Sequence, residues 1–188
     1  MSIADRKART SRGSFESHLM ESRAKLLGHP IHQMLIAFPL GLLGISPVFD
    51  LLRFVLDNET MAVVAYYLIG AGVLAALVAA PFGTIDWLAI PKGTRARRIG
   101  ALHGAGNLAA AALFAASWWL RRGDAAHPPV SALVLSFAGV GLSLVTAWLG
   151  AELVDRLGIG VSDGAHLDAP SSLDGKVAAA RAGLLSRY

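Results

Sequence analysis

With no cysteine among its 188 residues, the chain can hold a metal or a haem iron only through His, Met or carboxylate side chains. That excludes disulfide frameworks, thiolate zinc sites and Cys-ligated iron–sulfur clusters. His29 and His32 stand three residues apart in His-Pro-Ile-His, and on a helix that spacing sets both rings on one side. His103 and Asn107 are four apart and share a helical face in the same way. Asp86 and Glu152 would complete a set of nitrogen and oxygen donors that suits zinc, iron or copper.

These residues come from distant stretches, so their use depends on the elements that carry them. The composition is 54% apolar and 16% charged, and the mean hydropathy is +0.53. An ordinary soluble domain carries about a quarter charged residues. Charges are missing from 24 consecutive residues before Asp50, 26 before Asp86, 22 before Arg121 and 27 before Glu152. A bilayer core of roughly 30 Å needs about 20 apolar helical residues, which predicts four spanning helices near Met34 to Leu56, Ala62 to Trp87, Ile99 to Leu120 and Val130 to Leu153. A soluble bundle would show polar stripes at a period near 3.6, and the second and fourth runs have none. The expected fold is an all-α, up-down-up-down membrane bundle.

Basic residues set the expected orientation, because positively charged loops stay on the cytoplasmic side. Fourteen of the 17 lie before the first span, between the second and third, or after the fourth. Both termini are therefore expected in the cytoplasm. The division is a basic amino-terminal arm or interfacial helix over 1–27, a four-span domain over 28–161 and a cytoplasmic tail over 162–188. The first 25 residues have no apolar run suited to a cleavable signal peptide. Phe15, Leu19, Leu26 and Leu27 would form one face of a helix lying on an anionic leaflet, or the arm would be disordered.

Within the spans, small residues four apart let helix backbones approach closely. They run along Ala71, Ala75, Ala79 and Gly83, along Ala101, Ala105 and Ala109, and along Gly139, Ser143, Ala147 and Ala151. Pro39, Pro47 and Pro81 should bend their helices. Trp87, Trp118 and Trp119 read as interfacial anchors. Antiparallel threading then brings the starts of the first and third spans and the ends of the second and fourth to one layer. His29, His32, Asp86, His103, Asn107 and Glu152 fall in that layer. Asp50 lies 18 residues after His32, near the opposite surface; its simplest partner is Arg53, and one end of a proton path is an equal reading.

The run Gly28-His-Pro-Ile-His-Gln-Met-Leu-Ile-Ala-Phe-Pro-Leu-Gly41, followed by Phe49-Asp50, resembles the opening signature of the bacterial membrane proteins grouped as domain of unknown function 2231. Gly83-Thr-Ile-Asp86-Trp87, the Arg98, His103 and Asn107 pattern, and Leu149-Gly-Ala-Glu152 through Gly158-Ile-Gly-Val161 extend the resemblance over roughly 26–161. This chain has Gln33 where the family usually has proline, and Asp155-Arg156 in place of a more aromatic or basic pair. The resemblance implies a four-span protein of the bacterial inner membrane, sometimes joined to Rieske-type or cytochrome modules, and supplies no activity.

Three functions remain open on the residues. A redox module would bind b-type haem through His32 and His103, with Arg95, Arg97 and Arg98 at the propionates, Asn107 orienting His103, and Gly28, Gly104 and Gly106 leaving room for the porphyrin. A non-haem metal site would use His29, His32 and His103 with Asp86 or Glu152. A structural subunit would use the same groups as caps and interhelical hydrogen bonds. The expected partners are the lipid bilayer with a redox protein or a second copy. Basic residues interleaved with aromatics are lacking, which argues against nucleic acid, and no hydrolase elbow, Walker loop or His-Glu-x-x-His is present.

Overall fold

Four helices form over the charge-free runs, at Ile31–Val55, Glu59–Ala89, Arg95–Leu120 and Val130–Arg156, and each is long and apolar enough to cross a membrane. The structure, a computed structural model, describes residues 19–174. The boundaries match those expected to within a few residues. The third helix starts a turn earlier because Thr94 caps it, its Oγ1 accepting from Arg97 N at 3.1 Å. Asn58 caps the second helix through a 3.0 Å bond from Thr60 N. The fourth helix closes on a wider turn over Glu152–Arg156.

The prolines act locally. Helix one is interrupted at Ile36, between Ile31–Leu35 and Ala37–Val55. Pro39 has no N–H for the Leu35 carbonyl and its ring crowds that oxygen, so the break falls on the preceding turn. Pro47 leaves the Leu43 carbonyl without its helical donor, and the buried Ser46 Oγ supplies one at 2.9 Å.

Consecutive helices pack as two close hairpins, first with second and third with fourth, and the hairpins meet along second-with-third and first-with-fourth faces. The seam differs from the expected stripes of small residues. Its buried positions are Ala62, Ala65, Ile69, Gly72 and Ala79 on the second helix, and Ala132, Ser136, Gly139 and Thr146 on the fourth. Ala101, Ala105, Ala109, Ala147 and Ala151 are exposed. A strict four-residue step drifts around a helix of 3.6 residues per turn, whereas alternating threes and fours stay on a seam.

The expected amino-terminal helix is also corrected where it can be followed. Leu19 and Leu26 are not helical, and Phe15 lies outside the described residues. Met20 pairs in parallel with Ile159, and Lys25–Leu26 pairs antiparallel with His29–Pro30. The hairpin turn is Leu27-Gly28, with φ of 51° and 88°. Both values are positive, as a two-residue mirror-image turn requires, and Gly28 takes its place without strain. His29 is thus in a strand and His32 in the helix, so the two do not share a helical face.

Candidate functional site

His32 and His103 are held in the same way. The half-buried His32 ring lies against Gly83 of the second helix, where a Cβ would come within 2.7 Å of its Cε1. Its Nδ1 is 3.1 Å from the Ala79 carbonyl oxygen. His103 lies against Gly150 of the fourth helix, where a Cβ would meet its Cε1 at 3.0 Å, and its Nδ1 is 2.9 Å from the Thr146 carbonyl oxygen. A carbonyl only accepts, so Nδ1 carries the proton in each neutral ring and Nε2 presents a lone pair.

Asn107 does share a face with His103, but it acts on the other ring nitrogen. Its Nδ2 lies 3.1 Å from His103 Nε2, while its Oδ1 accepts from Thr146 Oγ1 at 2.8 Å. The orienting partner of His103 is therefore the Thr146 carbonyl, and Asn107 covers Nε2.

The remaining candidates are engaged elsewhere. His29 is exposed and bonds Ser172 Oγ through Nε2 at 3.1 Å. Asp86 accepts from Ser22 Oγ at 2.7 and 2.9 Å, from Arg23 N at 2.7 Å and from Ala24 N at 3.3 Å, fastening the amino-terminal segment to the end of the second helix. Glu152 pairs with Arg95 at 2.6 Å. Arg97 stacks over Trp87 at 4.0 Å and donates to the Trp87 and Ile90 carbonyls, closing the second loop. Arg98 is exposed. Among the described residues no three His, Asp or Glu side chains gather to hold a metal ion, so the five proposed metal ligands are not one coordination sphere. Of the three glycines expected to make room for a porphyrin, Gly28 faces Ser172 and Gly106 faces Thr146, while Gly104 has nothing within 4 Å of a would-be Cβ.

At the other end of the bundle, Asp50 pairs with Arg121 instead of Arg53. Arg121 donates to the two carboxylate oxygens at 2.6 and 2.7 Å, and both side chains are at most 1% exposed. Ser117 and Ser136 each lie 3.3 Å from the guanidinium. Arg53 reaches the Ala126 carbonyl instead, at 2.9 Å. Sequence reasoning paired Asp50 with Arg53, yet the signal for Arg121 was present: Arg121 follows His103 by the same 18 residues that separate Asp50 from His32. The tryptophans divide similarly. Trp118 stacks on Tyr66 inside the bundle with ring centroids 5.5 Å apart, while Trp119 is exposed under Arg122, as an anchor would be.

The family model described as predicted membrane protein, domain of unknown function 2231, matches residues 28–163. The chain belongs to that family. It is a multi-pass membrane protein with four helices long and apolar enough to cross a bilayer. Comparison of this DUF2231 protein with curated proteins and with solved structures finds no match.

Proposed function

We propose that this DUF2231 protein is a redox-associated membrane module in which His32 and His103 would hold the iron of a b-type haem. The matched fastening of the two imidazoles carries the reading. Each gives its Nδ1 proton to a carbonyl of the neighbouring helix, at 3.1 and 2.9 Å. That arrangement fixes the ring, raises its basicity and offers Nε2, which is how a metal-ligating histidine is ordinarily supported. A haem held there would supply one-electron chemistry. The chain's own residues would orient the ligands, and Arg98, free of side-chain partners among the described residues, would face a propionate. Asn107 would give up its bond to His103 Nε2. On this reading the basic end faces the cytoplasm and the protein lies in the bacterial inner membrane, with a redox protein as its partner.

A second reading rests on the Asn107 bond itself. With His103 Nε2 already accepting a hydrogen bond, and with Asp86 and Glu152 satisfied by Ser22 and Arg95, the polar groups at this end serve to tie helices and the amino-terminal segment together in a structural or partner-binding subunit. Absorption spectra and elemental analysis of detergent-purified protein from haem-replete cells separate the two. A Soret band lost in both His32→Ala and His103→Ala supports haem ligation. Colourless, metal-free protein overturns it and leaves the structural reading.

A further inference from the structure

The equivalence of His32 and His103 extends along the whole bundle. Asp50 and Arg121 are 71 residues apart, and the same shift takes His32 to His103, Leu43 to Phe114 and Ser46 to Ser117. Leu43, Ser46 and Asp50 are buried on the first helix, and Phe114 and Ser117 on the third with Arg121 at its carboxyl end. A second constant shift takes Ala65, Ile69, Gly72 and Ala79 to Ala132, Ser136, Gly139 and Thr146, which are all the buried residues of Val130–Ala151. The second shift is about one helical turn less, since His32 and Ala79 are 47 residues apart and His103 and Thr146 are 43 apart.

Contacts match as well as positions. Leu43 lies where a Cβ on Gly72 would be, at 2.6 Å, and Phe114 lies where a Cβ on Gly139 would be, at 2.8 Å. Each histidine bonds the carbonyl one turn before the glycine it covers, Ala79 with Gly83 and Thr146 with Gly150. The second-with-third face has its counterpart in the first-with-fourth face.

We infer that the hairpins over 31–89 and 95–156 are two copies of one unit paired about a two-fold axis along the bundle, and that Asp50 and Arg121, one position in the two copies, are the lock that makes unlike copies pair. Both hairpins begin at the same end, so the axis runs along the helices, as in parallel repeats of membrane proteins. Two copies carrying Asp at this position would bury like charges against each other, and so would two copies carrying Arg. One of each makes a bidentate pair. The partner that this buried face fits is the sister hairpin, and the inference stands whether or not a haem is bound.

Charge exchange in the full-length protein tests the lock, with thermal unfolding and size-exclusion profile in detergent as readouts. Asp50→Arg and Arg121→Asp should each lower the melting temperature sharply or abolish the monodisperse peak. Together they should regain at least half of the loss. Adding Ile69→Ser and Ser136→Ile should regain more, because Ser136 serves Arg121 and Ile69 is its counterpart. A double exchange no better than the worse single variant overturns the equivalence, as does wild-type melting in both singles. A charge-free check is the exchange Leu43→Phe with Phe114→Leu, since the two side chains lie in one core cluster with Ile69. Melting within a few degrees of wild type is expected, and a loss as large as that of Phe114→Ala overturns the inference.

Discussion

The carboxylate of Asp50 and the guanidinium of Arg121 meet through two hydrogen bonds of 2.6 and 2.7 Å, with neither side chain reaching solvent. Removing one partner strands the other charge in a medium that cannot solvate it. Arg121→Met should therefore destabilise the fold by about 3–5 kcal/mol. Taking away both charges in Asp50→Leu with Arg121→Met should cost far less, because burying an ion pair offsets much of its own attraction with lost hydration. Unfolding of the single and double variants in mixed micelles measures the difference. Equal losses in the two would mean that the pair contributes outright stability and not selectivity.

His32 lies so close to Gly83 that a methyl group there would come within 2.7 Å of the ring. Gly83→Ala should displace the imidazole and break its bond to the Ala79 carbonyl. Gly150→Ala, with 3.0 Å to His103, should shift its ring by only a few tenths of an ångström. Imidazole nitrogen NMR of labelled protein reads both outcomes: a large change at His32 in the first variant and a small one at His103 in the second. If Gly83→Ala leaves the His32 resonances unchanged, the ring is not packed on that helix.

The four spans were legible because the length of an uncharged run is set by membrane thickness, which a sequence records directly. The placement of His32 and His103 toward the same end of the bundle was legible too, since antiparallel threading alone puts those positions there. The partner of Asp50 was not. Local spacing offered Arg53 three residues on, whereas the residue that reaches the carboxylate comes from 71 residues away. Only the repeated 18-residue interval from each histidine to its charge pointed there. The partners of Asp86 were missed for another reason. Two of its partners are backbone N–H groups of Arg23 and Ala24, which every sequence has and no pattern marks. The stripes of alanine misled because four-residue steps were read as a seam that alternating threes and fours actually follow.

Asp86 ties the segment at Ser22 to Ala24 to the end of the second helix through one hydroxyl and two backbone donors. Hydrogen bonds to a charged acceptor contribute about 1.5–3 kcal/mol each when buried, and this site is only partly so. Asp86→Asn should loosen the segment without unfolding the spans. Hydrogen exchange should rise at 20–26 and stay unchanged in the helices. Faster exchange throughout the bundle would show that the carboxylate supports the core instead.

His127 joins two loops at the end of the bundle away from the histidine pair, with Nδ1 at 2.9 Å from Asp124 and Nε2 at 2.8 Å from Glu59. The hydrogen bond to Asp124 raises the His127 pKa above its ordinary 6.5, with Glu59 adding to it, and the same bond to His127 lowers that of Asp124 below 3.8. The folded state holds the imidazole proton more tightly than the unfolded chain does. The histidine's contribution is therefore complete below pH 6.5 and is lost as pH rises through the raised value. Asp124 contributes above pH 3.8 and loses its share as pH falls through the depressed value. All three groups are well exposed, so the effect is local order in the loop and not global stability. Amide exchange over 122–127 should be slowest between about pH 4 and 6.5 after correction for intrinsic rates, and His127→Ala should abolish that minimum. A flat profile in the wild type would mean that His127 does not bind its proton through these two carboxylates.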